Sequence, residues 1–296
     1  MKTRIITGLA YTSLAVGVLC LLQSPLLQCF IVLFAVVAAY ELCHAAQMKN
    51  RAMLAVSMAV AALVSPAMEY WPILRDRLRI PAFPILLGYF ILLLVLMLAR
   101  FGQTRFSDVL FALFASLAMP AAMGTAVLIR NSVGARPGMP FEPSLAAWLV
   151  FFTLCSAWLT DACAYFVGRK LGKHKLAPNI SPKKSIEGAV GGLIGIALAN
   201  VAFALMYNLF FLKLYRINLL AVALLSLALG AASMVGDLAA SVLKRNYGVK
   251  DFGRFFPGHG GVMDRFDSLL LVAPVFYALL QLEQSFNLHL LYEVVL

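Results

Sequence analysis

Residues 82–99 read AFPILLGYFILLLVLMLA, a run of 18 residues without a charged side chain. Such a run is typical of a helix that crosses a lipid bilayer, because about 20 apolar residues in a helix span its hydrocarbon core. Similar runs recur along the chain, and we expect about nine spans. Their approximate bounds are 5–22, 26–43, 53–68, 82–99, 109–129, 147–167, 187–207, 217–238 and 267–282.

The composition of the chain agrees with this interpretation. Of its 296 residues, 62% are hydrophobic and 12% are charged, whereas a soluble domain carries about 25% charged residues. The sequence therefore predicts an all-α, polytopic helical membrane protein. The first apolar run follows Lys2 and Arg4, but no small-x-small cleavage pattern comes after it, so we interpret it as a retained helix. The five cysteines lie in or beside apolar runs and are expected to be reduced.

The distribution of the basic residues predicts the orientation. The net charge is +11, which fits the positive-inside bias of membrane proteins better than nucleic-acid binding. A cytoplasmic N-terminus places 17 of the 24 Lys and Arg residues on the cytoplasmic side. The Arg75–Arg79 cluster opposes this rule, and we interpret it as a surface helix near anionic headgroups.

Two long polar segments, 168–186 and 239–266, fall on the predicted cytoplasmic side. They carry most of the residues suited to chemistry, so we expect the active site at this face. Residues 1–146 are then a scaffold of transmembrane helices and residues 147–296 a catalytic region, within one continuous membrane domain.

Residues 237–267 read DLAASVLKRNYGVKDFGRFFPGHGGVMDRFD. Asp237 closes an apolar span, where a carboxylate is costly, and Asp264 and Asp267 are three residues apart. Carboxylates are the hard oxygen ligands that Mg²⁺ prefers, and two such ions can clamp an in-line phosphoryl displacement. We predict that Asp237, Asp264 and Asp267 hold Mg²⁺, and the sequence leaves the identity of a second cation open.

The same segment is rich in cations and glycines. If the helix continues past Asp237, Ser241 lies on the same face as the aspartate. The cations supply the countercharge that phosphates require; they are Lys244, Arg245, Lys250, Arg254 and Arg265. Three glycines allow close approach of the backbone to a ligand; they are Gly258, Gly260 and Gly261. The alternative is a solvated loop in which Asp264 and Asp267 merely cap the last helix.

The segment before Gly188 contains a second group of candidates. Asp161 lies inside the sixth span, either as a functional acid or as the partner of a nearby cation. Ser181 and Pro182 predict a helix start. Lys183 and Lys184 would lie in its first turn, where they oppose the helix dipole but suit an anion.

Both segments resemble the phosphatidate cytidylyltransferase family (CDP-diacylglycerol synthases). From Ser241 to Asp267 the chain has every fixed position of the signature S-x-x-K-R, K-D, P-x-H-G-G and D-R-x-D. Ala240 departs from the pattern, because glutamate often precedes the serine. The segment from Asp161 to Gly188 is similar to the family as well, with Ala162 in place of a common threonine.

This resemblance implies attack of a phosphatidate oxygen on the α-phosphorus of CTP, with Mg²⁺ as cofactor. It implies that His259 donates a hydrogen bond to the reacting or leaving phosphate. The implied catalytic residues are Asp237, Lys244, Arg245, His259, Asp264, Arg265 and Asp267. The implied substrate-binding residues are Asp161, Ser181, Lys183, Lys184, Ser241, Lys250, Gly258, Gly260 and Gly261.

The expected partners are CTP, phosphatidate and membrane lipids, without nucleic acid, and the sequence leaves a homodimer open. The expected location is a bacterial inner membrane. Three alternatives remain at this point. The first is a transporter that uses Asp161 and Asp237 for ion coupling. The second is another CTP-dependent lipid or polyprenol phosphotransferase, and the third is an inactive scaffold homologue.

Overall fold

The computed structural model describes residues 26–79, 81–134, 140–211, 214–256, 260–286, 288 and 290–294. Helices dominate them. They are α1 (Leu26–Ala45), α2 (Arg51–Leu78), α3 (Ala82–Ala99), α4 (Phe106–Leu113), α5 (Met119–Ser132), α6 (Pro143–Leu171), α7 (Ile186–Phe210), α8 (Leu219–Asn246), α9 (Met263–Phe266) and α10 (Leu269–Ser285). A π-helical turn, Phe114–Ala118, joins α4 to α5. The strands are β1 (Lys175–Ala177), β2 (Ser181–Ser185), β3 (Tyr215–Ile217) and β4 (Tyr292–Val294).

Seven helical segments in the described part of the chain are long and apolar enough to cross a membrane. They confirm the prediction of an all-α, polytopic membrane protein. The predicted span 5–22 lies outside the described residues. The predicted span 267–282 corresponds to α10, which has only 17 residues. The count of nine spans therefore stays a prediction.

Helix α2 differs from its prediction at the C-terminal end. It continues through Pro66 and Pro72 to Leu78, beyond the predicted limit at residue 68. The Arg75–Arg79 cluster therefore lies at the C-terminal end of α2, and its interpretation as a surface segment near anionic headgroups stays a prediction. Arg79 adopts a left-handed conformation with φ of 53°, and its backbone N–H donates to the carbonyl of Arg75, which ends the helix.

The chain divides into two compact units, and the division into scaffold helices 1–146 and a catalytic region 147–296 stays a prediction. The first contains the described residues up to Val127 together with Asn246–Phe266. The second contains Leu128–Arg245 and the described residues from Asp267 onward. The polar segment after α8 thus belongs with the N-terminal helices rather than with the C-terminal half.

In the first unit, α1 packs against α2, and α2 and α3 pack against the π-helical turn region. Buried hydroxyl groups join these helices. Tyr89 Oη lies 2.7 Å from Ser116 Oγ and 3.4 Å from Ser57 Oγ. Ser116 also donates to the carbonyl of Ala112 at 2.6 Å.

In the second unit, α6 and α7 pack closely along their lengths. Gly188 and Gly192 face α6, as their G-x-x-x-G spacing predicts. The fully buried Asn200 on α7 donates hydrogen bonds of 3.0 Å to Ser156 Oγ on α6 and to Ser226 Oγ on α8. The side-chain amide of Asn200 therefore joins three helices: α6, which carries Asp161, α7, which directly follows β2, and α8, which carries Asp237.

Candidate functional site

Two lysine–aspartate pairs form the centre of a polar cluster in the second unit. Lys184 on β2 forms an ion pair with Asp237 on α8. Lys244 lies in the last turn of α8, and its Nζ is 3.7 Å from Asp267 Oδ2. The side chain of Asp267 is only 12% exposed. Both aspartates therefore have basic partners, although the sequence predicted them as metal ligands.

Asp267 lies in the turn before α10, where it is strongly desolvated. Burial, as the largest cause, and the negative charge of Asp237 together raise the pKa of Asp267 to about 7. The nearby ammonium group of Lys244 opposes this shift. Ser268 N–H donates to Asp267 Oδ1 at 2.9 Å. The arrangement concentrates negative charge in a buried place, where a cation or a basic side chain stabilises it.

Asp161 joins the same cluster from α6. Its Oδ2 accepts a 2.8 Å hydrogen bond from Ser268 Oγ. It is close enough to Asp237 and Lys184 to interact with both electrostatically. Gly236 lets α8 approach this turn, because a Cβ there would lie 2.9 Å from the carbonyl oxygen of Asp267. Helix α6, helix α8 and the turn before α10 thus bring three carboxylates to one region.

A small hairpin positions Lys184. Strands β1 and β2 pair in antiparallel fashion, with Lys175 opposite Ser185 and Ala177 opposite Ser181. The prediction that Ser181 and Pro182 begin a helix is wrong, because α7 begins at Ile186 and its N-cap is Ser185. Ser185 Oγ accepts the N–H of Gly188 at 3.2 Å.

The later helix start has a physical reason. Glu187 lies in the first turn of α7, where an acid suits the helix dipole, whereas Lys183 and Lys184 would oppose it. Glu187 also accepts hydrogen bonds from the backbone N–H groups of Lys173 and His174, at 3.0 and 3.2 Å. His174 Nδ1 lies 2.6 Å from Glu187 Oε1. The glutamate thereby fixes the base of the hairpin from which Lys184 extends.

A second cluster, in the first unit, surrounds Asp264 on α9. Asp264 Oδ2 accepts the backbone N–H of Phe252 at 2.8 Å and that of Gly261 at 3.0 Å. Gly260 has a φ of 87°, in the left-handed region that favours glycine. Gly258 and His259, both predicted to contact phosphates, lie outside the described residues. Asp264 therefore organises the backbone of the glycine-rich loop around its own carboxylate.

Comparison with known proteins identifies the family. The model of the cytidylyltransferase family matches residues 2–283. The chain belongs to this family. It is similar to proteins named phosphatidate cytidylyltransferase, with 44% identity over 133 residues for the one from Bacillus subtilis (strain 168). The protein of that name from Thermotoga maritima is 40% identical over 142 residues.

These alignments cover 45% and 47% of this chain, respectively, and 47% and 51% of the two relatives. The chain thus spans about half the length of the curated relatives it matches. The resemblance to this family that the two polar segments indicate is confirmed.

The exposure of the other predicted residues differs in the described part of the chain. Lys183, Arg245 and Lys250 are exposed, and Ser181 and Ser241 are half-buried. Arg265 is half-buried on α9, next to Asp264. Within the second unit the structure brings together Asp161, Lys184, Asp237, Lys244 and Asp267, and within the first unit it brings together Gly260, Gly261 and Asp264.

The chemistry of the donors suits a magnesium ion, because the cluster consists of carboxylates with concentrated negative charge. Their arrangement is less suited: within the described ranges, no group of three or more His, Cys, Asp or Glu side chains is placed to hold a metal ion. Lys184 and Lys244 instead pair with the carboxylates. Binding of the ion would require these two lysines to move toward other anions, such as phosphates.

Three residues at or near these clusters were missed by the sequence analysis. Ser268 donates hydrogen bonds to the carboxylates of both Asp161 and Asp267, but a serine beside an aspartate has no distinctive pattern. Glu187 could have been recognised as an acid in the first turn of a helix, where its charge interacts favourably with the helix dipole. Glu41, 5% exposed on α1, accepts the backbone N–H of Met263 at 2.9 Å. An acid inside an apolar run was a usable signal for Glu41.

Proposed function

We propose that this chain transfers a cytidylyl group from CTP to phosphatidate and produces CDP-diacylglycerol and pyrophosphate. The observation that carries the proposal is the cluster of Asp161, Asp237 and Asp267 with Lys184 and Lys244. Carboxylates for a metal ion and ammonium groups for phosphates are the two elements that phosphoryl transfer requires. Membership of the cytidylyltransferase family supports the same reaction class.

The bonding changes balance without an added co-reactant. A phosphate oxygen of phosphatidate forms a bond to the α-phosphorus of CTP. The bond between that phosphorus and the oxygen that bridges the α- and β-phosphates breaks. Pyrophosphate then leaves with the bonding electrons. A phosphomonoester has a second pKa of about 6, so the attacking oxygen is largely ionised at neutral pH. The site therefore needs charge neutralisation rather than a general base.

The lysines have the central role in this mechanism. Lys184 and Lys244 each form an ion pair with an aspartate. When substrates bind, the two ammonium groups can form ion pairs with phosphate oxygens instead. Bound Mg²⁺ would supply additional charge neutralisation. Asp237 and Asp267 would hold the ion, and Asp264 is a further ligand that is proposed from the sequence alone. Asp161 and Ser268 orient the turn that carries Asp267.

The remaining predicted residues complete the proposal. The cations Arg245, Lys250 and Arg265 neutralise phosphates, and Gly260 and Gly261 admit a phosphate close to the backbone. His259 and Gly258 have the roles that the family resemblance implies. Ser181, Lys183 and Ser241 bind the lipid phosphate or the nucleotide. We further propose a bacterial inner membrane, with the N-terminus and the site facing the cytoplasm.

The test is pyrophosphate release by the detergent-purified chain with Mg²⁺, phosphatidate and each of the four nucleoside triphosphates in turn. We expect release with CTP only, and only when both lipid and Mg²⁺ are present. Release with CTP and a polyprenol phosphate instead of phosphatidate would indicate a related phosphotransferase. A folded chain that releases no pyrophosphate with any combination would overturn the proposal and favour a transporter.

A further inference from the structure

Glu41 is the buried acid of α1, in an otherwise apolar stretch of that helix. Only 5% of the residue is exposed. A carboxylate inside an apolar helix is costly unless its oxygens are bound by donors. Helix α1 and the loop that follows α8 belong to the same compact unit, and the partners of Glu41 come from that loop.

The contacts of Glu41 are concentrated on one short loop. Its Oε2 accepts the N–H of Met263 at 2.9 Å. Gly253 and Gly261 both lie directly against its carboxyl group, and a Cβ at either position would collide with the Glu41 oxygens. The two glycines, eight positions apart in sequence, therefore face the same carboxylate. A side chain at either position would displace the carboxyl group of Glu41.

The same loop is bound by a second carboxylate. Asp264 Oδ2 accepts the N–H groups of Phe252 and Gly261. Gly261 is thus shared, since its N–H donates to Asp264 while the space beside its α-carbon is filled by the Glu41 carboxyl group. Met263, which donates to Glu41, immediately precedes Asp264. Glu41 is therefore connected to Asp264 in two ways, through the N–H of the adjacent Met263 and through Gly261.

We propose that Glu41 is a positioning residue that holds the loop residues 252–256 and 260–263 in the conformation that orients the carboxylate of Asp264. The importance of Asp264 rests on the proposed function, whereas the control of the loop conformation does not. The inference assigns a role to a helix that the sequence indicated as passive scaffold, 222 residues away from its partner. It also gives Gly261 a role that differs from contact with a triphosphate.

The first test measures the loop conformation without any substrate. Arg254 lies in this loop and Lys250 lies just before it, and both are exposed, so trypsin cleavage after them reports how often the loop opens. We expect faster cleavage at both sites in Glu41→Ala, an intermediate rate in Glu41→Gln, and the wild-type rate in Asp76→Asn. Asp76 is an exposed acid of the same unit, and its side chain is 73% exposed, so it controls for loss of charge.

The second test measures turnover. Substitution of residues that orient a ligand-binding carboxylate costs about 10- to 100-fold in activity, and we expect a fall of that size in kcat for Glu41→Ala. The KM for phosphatidate should remain at the wild-type value. Glu41→Gln should recover part of kcat, because its amide oxygen still accepts the N–H of Met263. A residue that only supports folding would instead lower the amount of active protein and leave kcat per folded molecule unchanged.

A double-mutant cycle with Gly261→Ala tests the contact itself. If Glu41 acts through Gly261, the effects of Glu41→Ala and Gly261→Ala on the cleavage rate will not be additive. Additive effects, or wild-type cleavage rates in both Glu41 variants, would overturn the proposal. If Glu41→Ala does not fold, Glu41→Gln and Gly261→Ala provide the same test. If the wild-type chain has no CTP-dependent activity, the proposed function is refuted but the role of Glu41 is not. The cleavage rates, which need no substrate, would still decide that role.

Discussion

Lys184 on strand β2 forms an ion pair with Asp237 on helix α8, and this pair connects a surface hairpin to an apolar helix. The two side chains are about equally shielded, at 25% and 21% exposure. Partly buried ion pairs are sensitive to the loss of one partner, because the remaining charge is left desolvated. Lys184 therefore serves both the architecture and the proposed phosphate site.

Lys184→Gln is expected to lower kcat/KM for CTP by about 100-fold or more, the cost of removing one group that stabilises developing charge. It is also expected to lower the free energy of unfolding by about 1–3 kcal/mol, because Asp237 loses its partner. Pyrophosphate release and thermal unfolding in detergent measure the two effects. The control is Lys173→Gln, since Lys173 is an exposed lysine of the same connection and should behave as wild type. If both variants lose the same activity and stability, the effect comes from the loss of one positive charge and not from the ion pair of Lys184.

Asp264→Asn is expected to abolish turnover while leaving the loop intact. Asparagine retains one oxygen that accepts the N–H groups of Phe252 and Gly261, but it lacks the charge that a metal ligand requires. Asp264→Ala removes the acceptor as well, so trypsin cleavage after Lys250 should become faster in that variant only. Near-wild-type pyrophosphate release by Asp264→Asn would refute the proposed role of Asp264 in metal binding.

Hydropathy was sufficient to predict most of the helices, because a membrane helix satisfies its own backbone hydrogen bonds within one continuous apolar segment. The start of α7 was not predictable in the same way. Ser181 and Ser185 are both good N-cap residues, and the choice depends on Glu187 and on the pairing of β1 with β2. Local sequence favoured Ser181 because Pro182 follows it, although proline is also tolerated in the edge strand of a two-stranded hairpin.

The members of the candidate site were predictable, but their partners were not. Asp237 and Asp267 were identified as carboxylates at the ends of apolar runs. Nothing in the local sequence indicates that Lys184 pairs with Asp237, since the two residues belong to separate elements that meet only in the tertiary structure. Glu41 and Met263 are separated still further in sequence. Such contacts depend on packing across the unit rather than on periodicity or motif.

The buried amide of Asn200 should contribute to stability rather than to catalysis. Asn200→Ala removes the hydrogen bonds to Ser156 and Ser226. Hydrogen bonds between membrane helices contribute on average about 0.6 kcal/mol each, so we expect a loss of about 1 kcal/mol in unfolding free energy in detergent. Leu198→Ala on the same helix is the control, because Leu198 is 67% exposed and its truncation should change stability little. A wild-type unfolding curve for Asn200→Ala would contradict this role.

Gly192→Val should disturb both stability and turnover through the packing of α6 against α7. A Cβ at Gly192 would lie 3.0 Å from the Thr160 carbonyl oxygen and 3.0 Å from Ala164 Cβ, so the larger side chain must separate the two helices. Overpacking of this kind costs about 1–3 kcal/mol. Asp161 lies on α6 between these two contacts, and its displacement should lower kcat as well.

The matched control for this change is Gly88→Val, because a Cβ at Gly88 has no neighbouring atom within 4 Å among the described residues. Both variants place a β-branched residue in an apolar helix, so the intrinsic effect on helix formation is the same. Thermal unfolding and pyrophosphate release of the two proteins should therefore differ, with Gly88→Val close to wild type in both measurements. If the two valine variants behave alike, close packing at Gly192 does not position Asp161.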